Sequence, residues 1–324
     1  MEYVDCNFCK EDNSELLFSV EIFLNGKKKK FNLIRCKKCS LVYINPRPSK
    51  DEISAFYPQK EYYLESKRCL FSFDDDLPGN RGRFDLKAAR GLAQKIIIEE
   101  SFSDKGENVK INRVLKALVL FFARHRLGRF KINIGKGKIL DVGCGDATFL
   151  LTIKEMGWQV YGTEINPLVT EKAREKGLDI VCSDLLNTDY KDNSFDFIRM
   201  WSVLEHVHDP SAYLKKVYNI LKPGGIVLIQ LPNLSSCASF IFGKRWSALD
   251  VPRHLYHFNK RTLKEMVEKQ GFKTQNINTI SVGTIAASLN LDKIYAARLA
   301  FLILDIILNY LRAGDSLVYY GRKT

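Results

Sequence analysis

The sequence predicts a doubly wound α/β fold, a largely parallel sheet with helices on both faces. Three observations predict it. From Lys138 onward, short apolar runs alternate with helical patterns. The first run, Ile139-Leu140-Asp141-Val142, leads into the glycine turn Gly143-Cys144-Gly145 and a helix start. Breakers fall where elements should end, at Pro223-Gly224-Gly225 and Gly271.

In order, the strands are expected over 138–142, 159–163, 179–182, 195–201, 226–231, 272–280 and 316–321. The last is expected to turn back antiparallel. Helices are expected over 147–156, 167–176 (with Pro167 near its first turn), 210–221 and 263–270. An insertion at about 283–312 carries Leu299 to Leu311, apolar almost all round but for Asp305 and Asn309. Such a helix is buried, pairs with another chain or lies against lipid. Packing on the region 81–131 is the default expectation.

Residues 1–48 read as a separate small unit. Cys6-x-x-Cys9 is followed after 26 residues by Cys36-x-x-Cys39, with strands expected at Phe31 to Arg35 and Leu41 to Ile44. Two matched thiol pairs are zinc-ribbon spacing, with four sulfur ligands and no open position. The metal is expected to be structural, because so short a segment cannot bury a core. Lys27 to Lys30 reads as a solvated hairpin tip.

Residues 49–135 form a linker and helical region. Phe56, Tyr57, Tyr62 and Tyr63 are expected to pack on the main domain. Asp74-Asp75-Asp76 with Pro78-Gly79 marks a loop, and 81–131 look helical. Lys110, Arg113, Lys116 and Arg124 share an arc of roughly 120° on a helix. The net charge is +13, and Lys105 to Lys138 holds ten Lys or Arg against one acid, Glu107. An acidic partner is implied: a membrane surface, a phosphorylated substrate or nucleic acid. The plainer reading of 110–131 is a core-packed helix with a solvated basic face.

The polar start Met1-Glu2-Tyr3-Val4-Asp5 is not expected to be a cleavable signal, and no run of about 18 apolar residues appears. The expected location is the cytoplasm, with candidate peripheral membrane contact through the basic helix 110–131 or the apolar helix 299–311. In a reducing compartment, eight cysteines favour metal ligation or burial over disulfides.

The glycine turn brings backbone close to a ligand. A dinucleotide fingerprint would need glycine at Thr148, and Asp141 and Asp146 would repel a pyrophosphate. Acid at the strand end suits a ligand with an ammonium and no phosphate, such as S-adenosylmethionine. Glu164, closing the second strand, suits the two hydroxyls of a ribose.

These residues, with Asp184, Ser194-Phe195-Asp196, Leu204-Glu205-His206-Val207 and Leu221-Lys222-Pro223-Gly224-Gly225, resemble the class I S-adenosylmethionine-dependent methyltransferases of the type 11/23-like group over 136–324. The resemblance implies a seven-stranded Rossmann-like sheet of order 3-2-1-4-5-7-6 with strand 7 antiparallel. It implies Gly143, Cys144 and Gly145 along the methionine and ribose, and Asp141 acting on the amino group through water. It also implies Glu164 on the ribose, Asp184 and Leu185 at the adenine, and Trp201 near the methionine end. Ala147 stands where many relatives have glycine. The N-terminal ribbon and Pro252-Arg253-His254-Leu255-Tyr256-His257-Phe258 are similar to a subgroup associated with surface-glycan and other small-molecule methylation, including sugar C-methyltransferases.

Methyl transfer from sulfonium needs alignment and exclusion of water, and a hydroxyl acceptor also needs a base. Of His125, His206, His208, His254 and His257, His206 and His254 are the candidate bases, near the strands' C-terminal edge. His254-x-x-His257 has a metal-like spacing, but the sequence shows no third ligand, so no catalytic metal is expected. The expected activity is O-methylation of a small molecule or glycan precursor. The rivals are RNA methylation, for which no known RNA-binding motif appears, and a non-catalytic ribbon adaptor. The oligomeric state is left open.

Overall fold

The two cysteine turns bracket a long antiparallel hairpin, β1 (Ser14–Leu24) and β2 (Lys27–Cys36). The structure, a computed structural model, describes residues 1–24, 26–57, 136–291 and 295–324. Tyr62, Tyr63, the Asp74-Asp75-Asp76 loop and the helical region 81–131 with its basic helix lie outside the described residues. After β3 (Val42–Ile44) comes one helical turn, α1 (Lys50–Ile53).

The alternation then runs β4 (Lys138–Val142), α2 (Thr148–Glu155), β5 (Gln159–Glu164), α3 (Pro167–Glu175), β6 (Asp179–Cys182), β7 (Phe195–Trp201), α4 (Pro210–Ile220) and β8 (Leu221–Pro232). Beyond it lie α5 (Cys237–Phe242), the two-residue strand β9 (Tyr256–His257), α6 (Lys260–Glu268), β10 (Phe272–Ile280), α7 (Thr284–Ser288), α8 (Tyr295–Tyr310) and β11 (Ser316–Lys323). The helices begin where side chains satisfy their free amides: Asn166 accepts from Leu168 N and Val169 N, and Asp209 from Ala212 N.

The large sheet has the order β6-β5-β4-β7-β8-β11-β10, with β11 antiparallel to both neighbours and the other paired strands parallel. This is the expected 3-2-1-4-5-7-6 order. Successive side chains feed opposite faces. Leu140, Ile198, Val227 and Ile229 join one core with Leu214 and Val217 of α4 and Leu263 and Met266 of α6. Ile139, Phe197, Ile226 and Leu228 join the other with Leu150 and Ile153 of α2 and Ala173 of α3. Burial on both faces explains why these strands read as apolar runs.

Three features differ from the expected elements. The helix expected over 210–221 stops at Ile220. Ladder pairing of β8 resumes at Leu221, so Pro223-Gly224-Gly225 sits within the strand, beside a register shift opposite Phe195 and Phe197. Lys27 to Lys30 begin β2 as well as lying exposed at its tip. The small sheet has the order β1-β2-β3-β9, so a strand from beyond β8 completes it.

The ribbon is therefore built onto the large domain. Ile34, Leu41 and Tyr43 share the first core with Leu255, Tyr256 and Phe258. Asn7 Nδ2 donates to Asp209 Oδ1 at 2.9 Å, and Asn7 Oδ1 accepts from Ser211 N at 3.0 Å, at the start of α4. Buried Arg47 donates through Nε to Glu2 Oε1 at 2.8 Å, and through Nη1 to the His208 carbonyl and Tyr256 Oη, both at 2.7 Å. In the insertion, Phe301, Leu304 and Leu308 of α8 pack in a cluster with Leu33 and Val42 of the ribbon and with Trp246 and Leu249. No described helix is long and apolar enough to cross a membrane.

Arg47→Ala strips a charged donor from two buried acceptors and should lower unfolding stability by about 2–3 kcal/mol. Denaturant unfolding should stay a single transition, because the ribbon and the large sheet share one core. An unchanged midpoint, or a separate early transition, would contradict this docking.

Candidate active site

The β4–α2 turn is made by two residues in the left-handed region, Gly143 (φ +67°) and Gly145 (φ +52°). A Cβ on Gly143 would come within 2.8 Å of Val203, whereas one on Gly145 would point into open space. Ala147 shares the left-handed conformation (φ +58°) at the start of α2. An L-residue there costs about 1–2 kcal/mol. Burying its methyl in the second core recovers about 0.8 kcal/mol of that. Alanine is thus tolerated where the family pattern has glycine. Cys144 turns its thiol into the same core, so only its backbone faces the turn.

Glu164 ends β5 beside this turn. Its Oε2 accepts from Gly145 N at 3.1 Å and its Oε1 from Asn166 N at 2.9 Å. Burial raises its pKa, and the two amides oppose the rise. They also aim the carboxylate at the edge of the turn. Asp184 follows β6, where its Oδ1 accepts from Leu186 N at 2.8 Å, and Leu185 beside it is buried. Trp201 closes β7 with little of its ring exposed. Asp141, Gly143, Gly145, Glu164, Asp184 and Trp201 therefore all stand on the C-terminal edge of adjacent strands, where ligands of such sheets sit.

Asp141 is wholly buried, and its Oδ2 accepts from Arg199 Nη1 at 2.7 Å. The two residues are register partners on β4 and β7. Burial pushes the Asp141 carboxyl up to about 6, with Arg199 holding it down. Its second oxygen has no hydrogen-bond partner among the described residues. The Arg199 guanidinium also lies over the rings of Phe149 (4.2 Å) and Trp201 (4.8 Å). Sequence reasoning gave Arg199 no role. Its signal was a lone charge inside the apolar run Phe195 to Trp201.

The two candidate bases come together, with ring centroids 4.5 Å apart. His206 lies in the loop after β7. Its Nδ1 is 3.1 Å from the Arg253 carbonyl and 2.9 Å from Tyr57 Oη. His254 Nδ1 is 2.9 Å from the Ala248 carbonyl, and its Nε2 is 3.7 Å from Asp250 Oδ2. Glu205 is buried behind them, with Oε1 4.0 Å from His206 Nε2. Desolvation lowers both imidazoles and raises the Glu205 carboxyl to about 8. Tyr57, Glu205 and Asp250 were not assigned from sequence. Glu205 stood within a quoted motif, but its partners come from the loop around Asp250.

In the ribbon, Cys6 Sγ lies 3.4 Å from Cys39 Sγ, and Cys9 Sγ 3.4 Å from Cys36 Sγ. All four sulfurs fall within 4.8 Å of one another. A zinc–sulfur distance of about 2.3 Å gives tetrahedron edges of about 3.8 Å, so this donor set can close on one ion.

Residues 110–277 match a family model described as a methyltransferase domain. The demethylmenaquinone methyltransferase of Staphylococcus epidermidis is 27% identical over 203 residues, covering 53% of this chain and 84% of that protein. The ubiquinone biosynthesis O-methyltransferase of Xanthomonas oryzae pv. oryzae is 27% identical over 141 residues, covering 40% of this chain and 57% of that protein. The crystal structure of the [4+2]-cyclase SpnF aligns with a TM-score of 0.50 at 19% identity, covering 86% of this chain and 97% of that one. That likeness is one of fold.

Arg199→Met leaves Asp141 buried without its cation. It should cost about 3 kcal/mol of stability by denaturant titration at pH 7. A cost below about 1 kcal/mol would mean the pair does not hold the strand edge.

Proposed function

The chain belongs to the methyltransferase-domain family, as an S-adenosylmethionine-dependent enzyme, and from that premise we propose that it methylates a hydroxyl of a small molecule or glycan precursor. The observation that carries the cofactor assignment is Glu164, tethered by Gly145 N and Asn166 N beside a turn whose inner face lacks side chains. S-adenosylmethionine supplies an electrophilic methyl group on a sulfonium.

The chain's own residues do the rest. Glu164 takes the ribose hydroxyls, and the backbone of Gly143, Cys144 and Gly145 lies along the methionine and ribose. Asp141, with one oxygen unpartnered, faces the amino group through water. Asp184 and Leu185 bound the adenine, and Trp201 screens the methionine end. The acceptor oxygen bonds to the methyl carbon as the carbon–sulfur bond breaks. The hydroxyl loses its proton at the cluster holding His206 and His254, where burial lowers both imidazoles and so disfavours their charged forms. Relatives named for demethylmenaquinone methylation and for O-methylation in ubiquinone biosynthesis support a small-molecule acceptor. Family membership favours an enzyme over a ribbon adaptor.

In the ribbon, Cys6, Cys9, Cys36 and Cys39 hold a structural zinc ion. A closed four-thiolate site leaves no position for substrate, so its role is to fix the small sheet against the large domain.

Glu164→Ala should weaken S-adenosylmethionine binding by at least about 30-fold in calorimetry, since it removes hydrogen bonds to a charged acceptor worth about 1.5–3 kcal/mol each. The melting temperature should change little. Unchanged affinity would put the cofactor elsewhere. Elemental analysis should find zinc bound by sulfur alone in the ribbon, and Cys36→Ser should remove it together with much of the chain's thermal stability. Folded wild-type protein without sulfur-bound zinc would refute the ribbon assignment.

A further inference from the structure

A backbone carbonyl faces Nδ1 of both His206 and His254. A carbonyl only accepts, so the Ala248 oxygen requires N–H at Nδ1 of His254, and the Arg253 oxygen is met when Nδ1 of His206 carries N–H and the Tyr57 hydroxyl beside it accepts. His254 Nε2 is then left with a lone pair, as is His206 Nε2 in the tautomer that donates to Arg253. Facing them is Glu205, 1% exposed, whose two carboxylate oxygens have no hydrogen-bond partner among the described residues. One ligand atom from each of the three residues falls within 4.8 Å of the others. Three potential ligand atoms converge, and among the described residues no side chain or backbone amide donates to the Glu205 oxygens. A cation at their centre would satisfy all three groups at once.

We propose that Glu205, His206 and His254 bind a divalent transition cation of the zinc class, separate from the ribbon ion. Two imidazoles and one carboxylate form a donor set suited to zinc, and three protein ligands leave a position for an oxygen ligand. The Nδ1–H donations to backbone carbonyls are the outer hydrogen bonds that metal-bound imidazoles make. Asp250 Oδ2, 3.7 Å from His254 Nε2, adds negative charge at the rim and is held there by Arg253. Tyr57 Oη, 2.9 Å from His206 Nδ1, closes the same side. His257, whose ring centroid is 6.4 Å from that of His254, lies behind the group.

The inference deepens the reading of this cluster as the acceptor side of the site and rests on that reading for its chemical consequence. With the cation bound, both rings act as ligands. An acceptor hydroxyl taking the open position has its O–H bond weakened and releases its proton to solvent, with no change of oxidation state. The ligand set is not contiguous in sequence. Glu205 and His206 follow β7, whereas His254 comes from the strap before β9.

The test uses the full chain with its ribbon ion retained, titrated with Zn²⁺ alone after dialysis against a mild chelator. Wild-type protein should take up one further zinc per chain, and its zinc absorption spectrum should gain nitrogen and oxygen neighbours at about 2.0 Å. Glu205→Gln and His254→Gln should weaken that uptake by at least about 100-fold. Absence of a second zinc in wild type, or equal uptake in both variants, overturns the proposal. The wild-type spectrum decides the matter even if a variant fails to fold. S-adenosylmethionine binding is measured on the same wild-type sample. Its failure would refute the methyltransferase reading of the crevice, while a missing second zinc with normal cofactor binding would refute the cation site alone.

Discussion

Asp141 and Arg199 lie opposite each other on the two central strands, and that buried pair fixes the register on which the proposed cofactor contacts depend. A one-residue slip of β4 against β7 would bury a lone carboxylate and a lone guanidinium, besides turning Leu140 and Ile139 to the wrong cores. With the register held, Gly143 and Gly145 emerge at the sheet's C-terminal edge. Glu164, two residues past the Gly162 that pairs with Asp141, arrives beside them. The charge pair is thus a structural element of the site as well as part of its wall. One Asp141 oxygen has no partner among the described residues, which leaves the wall an acceptor for the proposed cationic ligand.

The ribbon bears on the second half of the site. Strand β3 pairs with β9, and Ile44 N donates to the Leu255 carbonyl. On the other side, Leu255 N and Tyr256 N both donate to the Glu205 carbonyl. The strap carrying His254 is thereby clamped between the ribbon and the loop after β7. Arg47 reinforces the clamp from the ribbon side through Tyr256 and His208. This gives the four-cysteine unit a physical role beside the candidate site, through the strap rather than through its thiols. Loss of ribbon order would let His254 drift from His206, and both the acceptor side and the proposed cation site would loosen together.

β4, β6, β7 and β10 were legible to the residue in the sequence: β4 and β7 because buried parallel strands leave a continuous apolar signature, and β10, antiparallel to β11 and half exposed, from Gly271 before it. β1 carried no such mark. Its apolar residues Leu17, Phe18 and Val20 pack in a cluster with Leu33 of β2 and with residues near Trp246 and on α8, partners that the local pattern did not reveal. β9 is two residues long and exists only through pairing with the ribbon. Pro223-Gly224-Gly225 read as a terminator because proline and glycine usually are, yet the strand spans them, its ladder breaking after Leu221 and resuming at Ile226. In the site, Glu164 was readable from its place after a strand. Arg199 was not, since a charge in a buried strand acquires meaning only when register sets it against Asp141. Glu205 was visible as a neighbour of His206, but the convergence with His254 spans about fifty residues and depends on the strap's path.

The most direct measurement of the central claim is a crystal structure of the full chain with S-adenosylhomocysteine. The account predicts both ribose hydroxyls on the Glu164 carboxylate, the amino-acid backbone of the ligand along Gly143 to Gly145, and its sulfur directed toward the loop bearing His206. A nucleoside bound away from the β4–α2 turn, or ribose hydroxyls held by another residue while Glu164 keeps only its two backbone partners, would contradict it.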